Sequence, residues 1–134
     1  MSSYVAPLKD MLFVINELAE LDEISKLPGC EEVNAELVEA VLGEAAKFAQ
    51  EVLDPLNRVG DKEGSRIADG VVVSPTGFKA AYQQFREAGW NGLGGMPEFG
   101  GQGLPHIVAN PVRSGLARSV GDYSYWDAVW LDSR

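Results

Sequence analysis

The chain has 134 residues, of which 46% are hydrophobic, and its 20 acidic and 11 basic side chains give a formal charge of −9. This length predicts one ordered domain and is too short for a large two-domain enzyme. The charge disfavours nucleic acid and anionic membranes as partners. No apolar run is long enough to span a bilayer, and the N-terminus lacks the pattern of a secretory signal, so we expect a cytoplasmic protein.

The first predicted helix runs from about Pro7 to Leu21. Pro7 suits a first-turn position. The apolar residues recur at helical spacing on one stripe: Leu8, Met11, Leu12, Ile15 and Leu18. Pro28 and Gly29 then separate this segment from the next. The pattern predicts an amphipathic helix that packs on a partner surface.

The second predicted helix carries the clearest periodic pattern. Asn34 is a plausible N-cap, and Pro55 marks the expected end. One face is apolar over more than four turns, with Leu37, Val38, Val41, Leu42, Ala45, Phe48, Ala49, Val52 and Leu53. The polar stretch "NRVGDKEGSR", residues 57–66, is expected to break the helix. The apolar face requires another element to cover it.

A short hairpin or an extended loop is predicted next, followed by a third helix. Asp69 and Gly70 form a turn signal beside a β-branched run. Ser74 and Pro75 are expected to cap and begin the helix, and Gly89 to end it. Its apolar stripe consists of Phe78, Ala81, Tyr82 and Phe85.

The stretch "EAGWNGLGGMPEFGGQGLPH", residues 87–106, is rich in glycine and raises the question of a phosphate-binding loop. Phosphate-binding glycine loops follow a strand and open a helix, whereas this one follows a predicted helix. The spacing also lacks the third glycine of the dinucleotide fingerprint and the lysine of the P-loop. We therefore expect a connecting loop with aromatic anchors at Trp90 and Phe99.

Residues with catalytic potential show no active-site spacing. Cys30 is the only cysteine and His106 the only histidine, so neither an internal disulfide nor a clustered zinc site is predicted. A Cys–His nucleophile pair would require these two residues to meet in the fold, which nothing in the spacing predicts. The acidic residues Asp22, Glu23, Glu31, Glu32 and Glu98 are interpreted as solvated surface.

Four ordered motifs resemble the N-terminal helical domain of acyl-CoA dehydrogenases. They are a helix that ends in "PLN" (residues 55–57), a "P-x-G-F" helix start (75–78), an "AGW-x-GL" helix end (88–93) and a "P-E-x-GG-x-G" loop (97–103). The opening "YVAPLKDMLFVINEL" resembles a subgroup with an extra N-terminal segment. The resemblance covers residues 1 to about 110, and it implies a mainly α fold with a short hairpin and a glycine-rich loop that joins helices.

The resemblance also implies a division of the chain and a chemistry. Residues 1–33 form an N-terminal extension with an amphipathic helix, residues 34–110 a partial helical domain, and residues 111–134 a divergent tail. The family oxidises acyl-CoA: a glutamate removes the α-proton while the β-hydride passes to FAD. Because the flavin and the glutamate are held chiefly by later domains, we assign no catalytic, cofactor-binding or metal-binding residue. We expect the chain alone to bind no FAD.

The last residues depart from the family pattern. Pro111, Gly115 and Gly121 are expected to interrupt the long helix that continues the domain in the family, as a frameshift or premature stop would produce. In such a fragment the apolar surfaces of the second and third helices are expected to be partly exposed, which predicts self-association or marginal stability. Two alternatives stay open: an interaction module docking through Tyr123, Tyr125, Trp126 and Trp130, and a subunit completed by a chain with the flavin and base domains.

Overall fold

The computed structural model describes residues 4–120 and is mainly helical, as predicted. Its helices are α1 (Leu8–Phe13), α2 (Leu21–Ile24), α3 (Ala35–Phe48), α4 (Asp54–Glu63), α5 (Phe78–Glu87) and α6 (His106–Val120). Strands β1 (Arg66–Ala68) and β2 (Val71–Val73) form an antiparallel hairpin. Two π-helical turns, Val14–Leu18 and Ala49–Leu53, follow α1 and α3. Short 3-10 turns at Trp90–Gly92 and Pro97–Phe99 lie between α5 and α6.

The first predicted helix is confirmed as far as Leu18. The Pro7 carbonyl accepts the Met11 N–H, and the Ala19 N–H closes the π turn on the Val14 carbonyl at 2.9 Å. Glu20, with φ of +51°, then breaks the helix before α2. Ile15 is buried in the core, whereas Leu18, expected on the same stripe, is exposed.

The beginning of the second helix is confirmed, but its predicted end is wrong. Asn34 caps α3, because its side-chain oxygen accepts the Leu37 N–H at 2.9 Å. The helical path does not stop at Pro55 and continues as α4 to Glu63. The π turn shifts the hydrogen-bond register just before Pro55, so this proline occupies a first turn, where no N–H is required.

The hairpin is confirmed, and the start of the third helix is not. Asp69 and Gly70 both have positive φ, as a two-residue turn of type I′ demands. Ser74 does not cap α5, which begins at Phe78 after Gly77 with φ of +90°. Gly89, also left-handed, ends this helix as predicted.

The chain after His106 forms a helix, which contradicts the predicted interruption at Pro111 and Gly115. Pro111 lies inside α6 and costs roughly 3 kcal/mol. Val108, Val112 and Leu116 are buried, and each large aliphatic side chain contributes roughly 1.5 to 3 kcal/mol when fully buried. The free energy gained by burying these side chains therefore exceeds the cost of a proline inside the helix. The expected boundary between residues 110 and 111 falls within this helix, and the aromatic residues of the predicted tail lie outside the described residues.

Helix α6 packs along α3 and the π turn after it, and covers their apolar face. The core joins residues of α3, α5, α6, the N-terminal segment and the glycine loop, among them Ile15, Leu21, Val38, Leu42, Leu53, Phe85, Leu93, Val108 and Val112. The apolar faces of the second and third helices are therefore largely covered, and the partial exposure expected of them is limited to side chains such as Val41, Phe48 and Tyr82. Large exposed apolar side chains lie instead on the hairpin, the glycine loop and the N-terminal segment. Between residues 4 and 120, none of the helices has the length and apolar character that crossing a bilayer requires.

Candidate functional site

The first two motifs of the resemblance pack against each other. A Cβ on Gly77 would lie 2.8 Å from Cδ2 of Leu56, so the turn before α5 sits directly on α4. One helical turn further along α4, the ring of Phe78 lies on Gly60, where a Cβ would be 2.9 Å from Cζ. Both contacts use the space that a glycine leaves free. The motifs thus join α4 to the beginning of α5.

A carboxylate strengthens this junction. The Thr76 N–H donates to Oε2 of Glu63 at 2.7 Å, across the base of the hairpin. This backbone hydrogen bond is the main reason that the pKa of Glu63 is lowered, with smaller effects from the Thr76 side chain and Arg66. Glu63 lies in the polar stretch that is expected from the sequence to break the helix, and no signal in the sequence pairs it with Thr76.

Asn57, the third residue of "PLN", connects α4 to α6. Its side-chain amide donates to the carbonyl oxygen of Ser119. Ser119 is fully buried, and its own hydroxyl donates to the Leu116 carbonyl at 2.7 Å. The motif therefore holds the last described turn of α6 in place.

The glycine-rich stretch joins α5 and α6, as predicted, and bonds chiefly to itself. The N–H groups of Gly101, Gln102, Gly103 and Leu104 donate to carbonyls of residues 92–96 at 2.8 to 3.0 Å. Amides engaged in this way cannot cradle a phosphate, which requires N–H groups that point at the ligand. The two halves of the loop also lie in backbone contact, since a Cβ on Gly101 would be 2.1 Å from the Gly95 carbonyl oxygen.

Of the two predicted aromatic anchors, the structure confirms one. The Trp90 ring lies 6.4 Å from that of Phe48, so it fixes the beginning of the loop on α3. Its indole N–H is buried without a hydrogen-bond partner among residues 4–120. Phe99 is 83% exposed and anchors nothing in the described part of the chain.

The residues with catalytic potential are not assembled into a site. Asp22, Glu23, Glu31, Glu32 and Glu98 are exposed, as predicted. Cys30 is half-buried against the core, whereas His106 is exposed at the start of α6. Among the described residues, no three His, Cys, Asp or Glu side chains are close enough together to hold a metal ion.

The described part of the fold includes a small cavity and an open surface depression. The first, about 10 Å³, lies between Tyr4, Met11 and the helices α3 and α6, and holds no more than one water molecule. Burial raises the pKa of the Tyr4 phenol there, and Arg118 partly opposes the shift. The second is an open depression of about 500 Å³ beside Lys79, Tyr82, Gln83, Arg86 and Glu87 on α5.

Comparison with known proteins confirms the resemblance predicted from the motifs. Over 106 residues, which are 79% of the chain, the sequence is 39% identical to an acyl-CoA dehydrogenase. That relative is the 3-methylmercaptopropionyl-CoA dehydrogenase of Ruegeria pomeroyi. The match spans 18% of the relative's length. No family model matches the chain.

Proposed function

We propose that this chain provides the N-terminal helical part of an FAD-dependent acyl-CoA dehydrogenase, an enzyme that oxidises acyl-CoA thioesters between the α and β carbons. The observation that carries the proposal is the 39% identity to such a dehydrogenase over 79% of the chain. The role we propose is structural, because the four motifs of the resemblance lie at helix junctions. Other parts of the enzyme supply the flavin and the base.

The cavities described above and the glycine loop support the proposal that this chain alone holds no flavin. The cavity at Tyr4 has about 10 Å³, and the depression on α5 is bordered by side chains of a single helix. The loop amides of residues 101–104 are engaged by carbonyls of the same loop. We therefore propose that the isolated chain neither binds FAD nor oxidises acyl-CoA, and we assign no step of the reaction to its residues.

A chimera tests the proposal. The matched residues of the Ruegeria pomeroyi dehydrogenase are replaced by those of this chain, and flavin absorbance and acyl-CoA-dependent dye reduction are measured. We expect the chimera to retain both properties and the isolated chain to show neither. A folded chimera without flavin would contradict the proposal, as would flavin bound by the isolated chain.

A companion variant separates a failure to fold from a failure of function. Gly101→Ala drives a side chain into the Gly95 backbone, so the same chimera with this substitution should lose flavin together with its helical structure. Gly43→Ala in α3, where a Cβ meets nothing within 4 Å, is the matched control and should leave both readouts unchanged.

A further inference from the structure

One asparagine of the glycine-rich stretch has the sequence context for a reaction with its own backbone. Asn91 occupies the variable position of "AGW-x-GL", is exposed, and is followed by Gly92. Asparagine is among the chemically labile residues. Glycine has no side chain to shield its nitrogen from the amide of the preceding residue. The Gly92 nitrogen is therefore able to attack the Asn91 side chain once it is free to move.

The reaction is deamidation through a cyclic imide. The Gly92 nitrogen loses its proton and bonds to Cγ of Asn91, the bond from Cγ to the side-chain nitrogen breaks, and ammonia leaves. Water then opens the ring at one of its two carbonyls and gives aspartate or isoaspartate. The reaction consumes water and releases ammonia, so it requires no cofactor.

The closed loop withholds the nitrogen that this reaction requires. The Gly92 N–H donates to the Gly89 carbonyl at 3.0 Å inside a 3-10 turn. The Gly92 carbonyl accepts the N–H groups of Gly95 and Gln102 at 3.1 and 2.8 Å. Hydrogen bonds thus hold the peptide groups on both sides of Gly92, and its nitrogen is not free to approach the Asn91 side chain.

Gln102 holds this turn from the second half of the loop. Besides its backbone hydrogen bond to Gly92, its side-chain Nε2 donates to the Gly89 carbonyl at 3.3 Å. This is the same oxygen that accepts the Gly92 N–H. A Cβ on Gly89 would lie 2.8 Å from Nε2, so the contact uses the space that glycine leaves free. One residue therefore bonds both ends of the turn that contains Asn91.

We propose that Asn91 is a deamidation site that the closed glycine loop protects. Asn91 stays intact while the loop is closed, and each opening makes the Gly92 nitrogen available for the reaction. Isoaspartate lengthens the backbone by one carbon atom and adds a negative charge, so a loop that has reacted no longer fits the hydrogen bond between Gly92 and Gly89. Deamidation therefore prevents the loop from closing again.

Mass spectrometry of tryptic peptides tests the proposal on the intact chain. Cleavage after Arg86 and Arg113 gives one peptide that contains both Asn91 and Asn110. Asn110 precedes Pro111, whose nitrogen carries no hydrogen and does not attack, so it is an internal control. We expect slow deamidation of Asn91 in neutral buffer, faster deamidation in guanidinium chloride, and none at Asn110 in either solvent.

Two variants test the roles of the loop and of the attacking nitrogen. Gln102→Ala removes one hydrogen bond from the closed turn and should accelerate deamidation in buffer roughly two- to tenfold. Gly92→Ala should slow the reaction in both solvents, because its methyl group shields the nitrogen. A Cβ on Gly92 meets its nearest neighbours at 3.6 Å, an ordinary contact, so this variant keeps the loop closed.

A third variant separates local opening of the loop from unfolding of the whole domain. Asn57→Ala weakens the contact between α4 and α6, away from the loop, and should leave the rate in buffer unchanged. The proposal is wrong if Asn91 reacts as fast in buffer as in guanidinium chloride, or if it stays intact in both. It is also wrong if Gln102→Ala reacts at the wild-type rate, or if Asn57→Ala accelerates the reaction as much as Gln102→Ala.

Discussion

The Asn57 side chain donates a hydrogen bond to the Ser119 carbonyl oxygen across 62 positions of sequence. This contact fixes α4 against the end of α6, while the apolar residues of α6 pack along α3. Helix α6 thus contacts both α3 and α4. The amide provides a donor for the Ser119 carbonyl in the last described turn of α6.

Asn57→Ala should destabilise the fold by about 1 to 3 kcal/mol, because it leaves a buried carbonyl oxygen without its donor. Urea unfolding followed by circular dichroism measures the loss. Asn110→Ala, at an exposed position of α6, is the matched control and should cost nothing, since alanine is the better helix former. Equal effects of the two substitutions would show that the amide contact contributes no stability.

Gly101→Ala should prevent the glycine loop from closing. A Cβ at this position would lie within 2.5 Å of three backbone atoms of Gly95, a contact that no change of rotamer relieves. Gly43→Ala provides the comparison, because alanine in an open helical position is favoured over glycine by about 1 kcal/mol. We expect a lower urea midpoint for the first variant and a higher one for the second. A wild-type midpoint for Gly101→Ala would refute the tight crossing of the loop.

Asn34→Ala should cost about 1 kcal/mol, the usual effect of removing an N-cap oxygen from a helix. Asn34→Asp retains an acceptor for the Leu37 N–H and adds a negative charge at the positive end of the helix dipole, so it should match or exceed the wild-type stability. Thermal melts of the three proteins at neutral pH decide this. An aspartate variant as unstable as the alanine variant would count against the cap.

Glu63 should make stability depend on pH. Hydrogen bonds from Thr76 hold the pKa of Glu63 below its ordinary value of 4.5 in the folded chain. As the pH falls, Glu63 therefore becomes protonated in the unfolded state before it does in the folded state. The stability that Glu63 contributes is complete above pH 4.5, and it is lost as the pH falls through the lower pKa of the folded state.

Urea titrations from neutral pH downward test this dependence. The wild-type chain should lose more stability over that range than Glu63→Gln, in which the titrating group is absent. Glu98→Gln, an exposed carboxylate of the glycine loop, serves as the control and should follow the wild-type curve. If Glu63→Gln has the same pH profile as the wild type, the contact with Thr76 is not linked to folding.

The features predicted correctly from the sequence are those with a local physical cause. Asn34 caps a helix because its short side chain reaches the next free amides. Asp69 and Gly70 turn the chain because both tolerate positive φ. Gly89 ends α5 for the same reason. Each signal requires only a few neighbouring residues, so no tertiary contact can reverse it easily.

The features predicted wrongly depend on contacts between distant segments. Pro111 looks like a helix breaker until α6 is placed on α3, where burial outweighs the lost hydrogen bond. Pro55 is expected from the sequence to end the helix, but the π turn before it places this proline in the first turn of α4, where its missing N–H is not needed. Phe99 resembles an anchor by residue type alone, and only the fold shows that it faces solvent.

For the motif residues too, the local pattern was predictable from the sequence and the long-range contacts were not. Their order along the chain is sufficient to indicate the family, which the identity to the Ruegeria pomeroyi dehydrogenase supports. Their roles were not predictable, because the contacts of Leu56 with Gly77 and of Gly60 with Phe78 join residues from separate elements. Spacing within one segment carries no information about such pairs.

The π turn at Ala49–Leu53 sets the angular phase between α3 and α4. Each residue of an α-helix advances the path by about 100°. Removing one residue, such as Gln50, would restore ordinary register through the junction and rotate everything downstream by about that angle. Asn57 would then turn away from Ser119, and Gly60 away from Phe78. A chain shortened by one residue would keep its helices, but the side chains of α4 would no longer face their partners on α5 and α6.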